Sequence, residues 1–415
     1  MRASDPFEDV KVDPARAAAI TVAALVTLAI AAVFFPTQAA VIAVIAALFV
    51  MIMLHELGHF LAAKRTGMKV TEFFVGFGPR LWSVTRGETE YGVKAVPLGG
   101  YCRIIGMTNL EEVDPQDEPR AYRNKRAGPK VFVAAAGPAV HFVLAIILMF
   151  VVLFFAGDFR QERAVLTLAQ TTQGAAAAGL RAGDTIVSVN GTSVNDWTQV
   201  QQLINPPAHP AQVGDVVRFV VRRGTEDLAV SVKLQRSADP SLKRVVAGVA
   251  PRSVVPHPGL VTSIAQAPLQ VTDVGWQSIK AIGSMFSPAG ISNYFRILSG
   301  DTSTHTDQTK RFVSPAGVGA LASDAVKAGW VSVLGLLIAI NIFVGLFNLL
   351  PLLPFDGGHI AIALYEKIAS TIRGRRVQVD AAKLLPVTVA VVAVLGFIFL
   401  SSLFLDITHP VANPF

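Results

Sequence analysis

The stretch AAVIAVIAALFVMIMLHELGHFLAAKR, residues 39–65, opens with sixteen residues free of charge and of side-chain amides, Ala39 to Leu54, and closes on two histidines, a glutamate, a lysine and an arginine. A helical span of a hydrocarbon core takes roughly 20 predominantly apolar residues, so the run reads as a membrane helix with ionisable groups at its foot. Each such group costs about 2.5–3.5 kcal/mol inside a span and needs compensation. His59 precedes Lys64 by five residues, about 7.5 Å of helical rise. The histidines therefore lie somewhat below the surface that Lys64 reaches.

In a helix, positions i and i+4 differ by about 40°, so His55 and His59 share a face and can direct both imidazoles at one metal ion. Glu56 stands beside them, close enough to reach a water there. This H-E-x-x-H order offers two zinc ligands and a general base for attack on a peptide carbonyl. The base alone cannot make a nucleophile at neutral pH; zinc does so by lowering the pKa of water towards roughly 7. A polar helix end snorkelling to the interface is the competing reading.

Outward from this stretch, hydrophobic residues make up 52% of the 415 and charged residues 16%, which excludes an ordinary soluble globule. Ala17 to Phe35, Ala39 to Ala63, Val131 to Ala156 and Trp330 to Leu353 are each long and apolar enough to span; Leu384 to Leu405 is a fifth, with a kink expected at Pro386. The first has no clear cleavage site before Pro36 and runs after only PTQ into the next, so the pair reads as a helical hairpin rather than a secretory signal. Cys102, the single cysteine, excludes an intrachain disulfide framework.

A net charge of +7 does not mark nucleic acid here, because the basic residues follow topology. Twelve Lys and Arg lie from Lys64 to Lys130, five from Lys367 to Lys383 and three in the first sixteen residues, with none in the PTQ turn or after Leu405. By the positive-inside rule those three basic segments are cytoplasmic. The expected order is a cytoplasmic tail (1–16), spans at 17–35 and 38–63, a cytoplasmic loop (64–129), a span at 130–156, and an outer region. A span at 329–354, a cytoplasmic segment (355–383), a last span (384–405) and an outer tail (406–415) follow. The fold class is thus a polytopic α-helical membrane protein of about five transmembrane helices.

The outer region contains GAAAAGLRAGDTIVSVNGTSVNDWTQVQQLI, residues 174–204, and then two alternating strands around Arg223-Gly224. Thr185 to Val189 reads as a strand, Trp197 to Ile204 as a short helix and the pair around Gly224 as a hairpin. Residues 160–236 resemble a PDZ domain of the bacterial membrane-protease type, with GLRAGD and VNG as landmarks; such domains take up extended peptides at a sheet edge. Residues 237–328 read as a proline-bearing linker, an amphipathic section from Ser263 to Phe286 and membrane-proximal helices. In the cytoplasmic loop, residues 73–107 alternate apolar residues with glycines about an Arg86-Gly87-Glu88 turn, which predicts β-hairpins; glycines 76, 78, 99 and 100 allow close backbone approach.

A catalytic zinc site has three protein ligands and an open position, so one ligand is missing. An even number of crossings returns NLLPLLPFDGGHI, residues 348–360, to the membrane edge where His59 lies. Asp356 there is the only carboxylate between Asp324 and Glu366. His359 competes with it, as does a capping role for Asp356 over the Gly357 turn.

An HExxH on a membrane helix, the GFGP and VPLGGY glycine loop, a PDZ insert and N-L-L-P-x-x-P-x-D-G-G together resemble the site-2 protease family of intramembrane zinc metalloproteases, of the regulator of sigma-E protease type and its actinobacterial relatives. The resemblance covers nearly the whole chain after Gln38. It implies cleavage of a single-pass membrane substrate within its transmembrane segment, usually an anti-sigma factor already trimmed by an upstream site-1 protease, at a bacterial plasma membrane. It implies one zinc ion held by His55, His59 and Asp356, with Glu56 as catalytic base. Asn348 matches an asparagine that contacts substrate or supports the reaction centre. Gly76 to Pro79 and Pro97 to Gly100, hence Gly76, Gly78, Gly99 and Gly100, match a membrane-reentrant β-loop that pairs with unwound substrate.

Phe355 stands where leucine is usual, His141 in AGPAVHF where asparagine is common, and the span at 17–35 is absent from many relatives. Two other classes are weighed. A non-catalytic PDZ adaptor has no use for four buried ionisable groups, and a metal transporter needs polar groups at several depths rather than one.

Overall fold

The computed structural model describes residues 36–206, 209–237, 245–301 and 311–409; the expected span Ala17 to Phe35 lies outside them. The chain divides into two compact units, residues 153–260 and the remainder.

Among the described residues of the larger unit, four helices are long and apolar enough to cross a membrane: α1 (Pro36–Arg65), α2 (Ala127–Phe155), α8 (Trp330–Asn348) and α10 (Ala381–Thr408). Leu385, Val389, Val392, Phe399 and Phe404 of α10 stand exposed, the surface of a helix whose solvent is hydrocarbon rather than water. Between α2 and α8 come α5 (Leu260–Met285), α6 (Pro288–Leu298) and α7 (Pro315–Ala328); α9 (Asp356–Arg373) precedes α10.

Helix α8 is the hub. Its Leu336 and Leu337 pack with Val44 and Met51 of α1 and Ala322 and Ala325 of α7. Its Ile338 and Ile342 pack with Ala145 and Val152 of α2 and Val271 of α5. Pro386 lies in the second turn of α10 and the helix runs on through it. The stretch expected to span to Leu353 leaves helix at Asn348, because Pro351 and Pro354 each deny an amide hydrogen and disfavour helical backbone in the residue before them.

Strands β1 (Val70–Arg86) and β2 (Thr89–Ile104) form the predicted hairpin about Gly87, whose φ is 64°. Both strands bend back, so that Phe73, Phe74 and Val75 pair with Cys102, Tyr101 and Gly100 on one side and with Tyr91, Gly92 and Val93 on the other. Glu88 at the hairpin tip takes Lys64 Nζ at 2.6 Å and Arg120 Nη1 at 2.5 Å. Arg120, with Lys64, holds the Glu88 carboxyl down at about 2. The hairpin is thereby tied to the end of α1.

In the smaller unit, β3 (Arg163–Thr171), α3 (Gln173–Ala177), β4 (Thr185–Val189), β5 (Thr192–Ser193), α4 (Trp197–Ile204), β6 (Val216–Arg223) and β7 (Glu226–Lys233) follow in order. Next come β8 (Gln235–Arg236), β9 (Val245–Val246), which pairs with β8, and β10 (Val249–Val254). The sheet order is β10-β3-β4-β6-β7, with β5 beside β4. Val217, Phe219 and Val221 of β6 point one way into a core with Leu168, Ile186 and Val232, the period-2 burial of a half-covered strand.

Part of the expected linker is strand: β10 pairs antiparallel with β3 from Val249↔Thr171 to Val254↔Arg163. That partner lies some eighty residues back, beyond the reach of local pattern. Buried Asp184 receives Arg223 through Nε and Nη2, both at 2.7 Å, and Arg223 lowers its pKa.

Candidate metal centre

Helices α1 and α2 meet closely at Gly58. A Cβ there would lie 2.8 Å from the Ala136 carbonyl oxygen and 2.9 Å from Val140. That approach, of the kind small residues permit between membrane helices, sets the shared face of His55 and His59 against the middle of α2.

His59 Nδ1 lies 2.8 Å from the Val133 carbonyl oxygen. A carbonyl only accepts, so Nδ1 carries the hydrogen and Nε2 presents its lone pair. Pro138 has no amide hydrogen for the carbonyl of residue 134 and its ring crowds that turn. The backbone ladder lacks one bond there, next to the carbonyl that His59 uses. Gly137 clears the remaining space: a Cβ would lie 2.3 Å from His59 Nε2 and 2.7 Å from both Cε1 and Nε2 of His55.

Asp356 arrives from the other side as the first residue of α9. The two glycines after it explain how. A Cβ on Gly357 would lie 2.3 Å from the carbonyl oxygens of Leu349 and Leu350, and one on Gly358 2.7 Å from the Leu352 carbonyl carbon. Only glycine lets the helix start against the proline turn. The Asp356 side chain is directed at the two imidazoles. Its Oδ2 lies 3.3 Å from His55 Nε2 and its Oδ1 3.3 Å from His59 Nε2.

His55 Nε2 and His59 Nε2 are 3.1 Å apart. Ligands on tetrahedral arms of about 2.0–2.1 Å stand roughly 3.3 Å from one another, the separation of the two imidazole nitrogens and of each from one of the two carboxylate oxygens; one ligand atom of each residue lies within 4.8 Å of the others. Without a cation the cluster is poorly satisfied, since Asp356 Oδ2 is buried and makes no hydrogen bond. Among the described residues these three alone form a group of metal-ligating side chains. The residues present fit a zinc ion.

Glu56 is partly accessible, and the Cys102 amide of β2 approaches its carboxylate. Strand β2 lies along α1 just before the histidines: a Cβ on Gly100 would meet Met53 Sδ at 2.4 Å, and one on Gly99 would lie 3.8 Å from Ile52. Gly76 and Gly78 have φ of 86° and 82° and shape the bend of β1; a Cβ on Gly76 would press on the Val96 and Lys94 carbonyls at 2.8 and 2.9 Å. None of the four belongs to the donor cluster.

Asn348 closes α8, half-buried, and its amide makes no side-chain hydrogen bond among the described residues. His359 faces Tyr122 at 6.0 Å between centroids and stands outside the cluster. Gly58, Gly137, the Val133 carbonyl and buried Asn341 are contributors that sequence reading passes over. The run of small residues at 134–137 is their one signal.

Two imidazoles and a carboxylate at these distances, with a glutamate adjoining and membrane-length helices carrying them, define a metallopeptidase set in apolar surroundings. Residues 43–395 match the model of Peptidase family M50, and the chain belongs to that family, the site-2 proteases, as a zinc metalloendopeptidase. It is 35% identical over 405 residues to the zinc metalloprotease Rip1 of Mycobacterium tuberculosis, covering 89% of this chain and 96% of that one. With Rip1 of Mycolicibacterium smegmatis it shares 34% over 401 residues, covering 88% and 96%. It is also similar to the PDZ domain of an SdrC-like protein of Listeria innocua, with 24% identity, 23% of this chain, 99% of that chain and a TM-score of 0.19.

Proposed function

We propose that this protein is a multi-pass enzyme of a bacterial plasma membrane that hydrolyses a peptide bond within the transmembrane segment of single-pass membrane proteins. His55, His59 and Asp356 hold one zinc ion, whose Lewis acidity activates water and polarises the scissile carbonyl when bound. Glu56 accepts the proton of the attacking water and passes it to the leaving amine. The observation that carries this reading is the convergence of His55, His59 and Asp356, one ligand atom of each within 4.8 Å of the others, at the foot of a membrane-length helix.

The clustering of Lys and Arg in 64–130 and 367–383 supports a cytoplasmic face for the site, with residues 153–260 outside. A helical substrate hides its carbonyls in its own hydrogen bonds. The curled β1–β2 hairpin, lying along α1, offers an extended edge on which an unwound segment can pair, with Gly99 and Gly100 beside it and Asn348 supporting the reaction centre. The substrate class is the anti-sigma factor type, trimmed beforehand by a site-1 protease.

Reconstituted with zinc in vesicles, the chain should cut a single-span reporter at a bond that mass spectrometry places inside its apolar segment. Cuts confined to flanking water-exposed residues would refute cleavage within the membrane.

We further read residues 153–260 as a PDZ unit that restricts access by substrate size. A cavity of about 590 Å³, lined by Gln170, Thr172, Trp197, Gln201 and Val246 among others, with no charged side chain among the described residues, suits an extended peptide. The unit's chain ends meet, since the Asp158 amide donates to the Pro256 carbonyl at 2.8 Å, so a short link can replace 159–255. Cleavage should then extend to untrimmed substrates with bulky outer regions. Unchanged selectivity would overturn the filter.

A further inference from the structure

His141 is buried beside the donor cluster, and the reaction as drawn does not use it. It lies on α2 one turn after Gly137. Its Nδ1 is 2.9 Å from Asn341 Oδ1. Which way that amide faces is fixed by its other contacts, because Asn341 Nδ2 donates to the Leu337 carbonyl at 2.8 Å and faces Met51 Sδ at 2.9 Å. Oδ1 is therefore the acceptor, His141 Nδ1 carries the hydrogen, and His141 Nε2 is left with a lone pair.

His55 presents the complement. With Nε2 directed at His59 and Asp356, its hydrogen resides on Nδ1, and Nδ1 is buried with no hydrogen-bond partner among the described residues. A buried N–H of this kind is costly if it stays unpaired. The two rings have centroids 5.0 Å apart, tilted by 43°. Imidazoles joined by an N–H···N bond of about 2.9 Å have centroids roughly 5 Å apart. The Nε2–Cε1 edge of His55 already lies against Gly137 of the same helix, and Nδ1 is the next ring atom.

We propose that His141, anchored by Asn341, is a positioning residue whose Nε2 takes the Nδ1 hydrogen of His55 on a small closure of the two rings, a bond the structure leaves unmade, and so fixes the tautomer and aim of that metal ligand. The relay runs from α8 through α2 to α1 and joins the three helices around the centre. His141 is not a ligand itself, since it stands outside the donor cluster. The inference rests on the zinc reading above and extends it.

The test is zinc release to a chelator from the purified, zinc-loaded chain in detergent, read without any substrate. Outer partners of ligating histidines are worth about 10–100-fold in metal affinity. His141→Leu should therefore release zinc about ten- to a hundredfold faster than wild type. His141→Gln, whose amide oxygen reaches as far as Nε2 and accepts, should restore retention to within a few-fold. Asn341→Leu keeps His141 but removes its anchor and should also accelerate release.

Wild-type release from His141→Leu, or no rescue by glutamine in a folded variant, overturns the relay. If His141→Leu does not fold, Asn341→Leu decides alone. A wild-type chain that binds no zinc would instead overturn the metal reading.

Discussion

Glu56→Gln should leave zinc per chain at the wild-type level and lower cleavage of a single-span reporter by about 10²–10⁴-fold, the range that a positioned general base supplies. The side chain keeps its shape and can still accept from the approaching Cys102 amide, so β2 stays seated on α1. None of His55, His59 and Asp356 is touched. What is lost is a group able to take a proton from water. Zinc analysis and reporter cleavage on the same preparation check both halves. An adaptor would be indifferent to the change, and a transporter would show flux without proteolysis. Full cleavage by this variant would remove Glu56 from the chemistry, whereas lost zinc would make it part of the metal's support.

How much of this was legible beforehand depends on how far apart the causes lie in the chain. The four spans follow from apolar runs, and Thr185–Val189 and Trp197–Ile204 of the smaller unit are marked by local turn residues that hold their bounds. HExxH is local too, since helical spacing alone sets His55 beside His59. Asp356 was reached by counting crossings and carboxylates, and the structure sets it against both imidazoles. Where a distant partner decides, pattern fails. Val249–Val254 becomes strand because β3 is there to pair with it. The end of α8 was missed for another reason: Leu349, Leu350, Leu352 and Leu353 keep the run apolar through a turn that Pro351 and Pro354 have already broken. Gly58 and Gly137 look unremarkable in a row of small residues, and their meaning lies in what another helix puts opposite them.

Gly137→Ala makes that last point measurable. In the middle of a helix, alanine is favoured over glycine by about 1 kcal/mol, so on local grounds the change should stabilise α2. The added methyl, however, would sit 2.3 Å from His59 Nε2 and 2.7 Å from His55 Nε2, distances at which something must move. His59 cannot easily retreat, because its other nitrogen is held by the Val133 carbonyl on the same helix at 2.8 Å, so the methyl and that anchor press from one side. Backing α2 away would open the close helix contact at Gly58. Overpacking of this kind outweighs the propensity gain, so the outcome expected is a chain that melts below the wild-type temperature, holds little or no zinc, and loses cleavage as fully as a ligand deletion would. Wild-type zinc content in Gly137→Ala would mean that the imidazoles occupy other positions than those described, and the donor triangle would have to be redrawn.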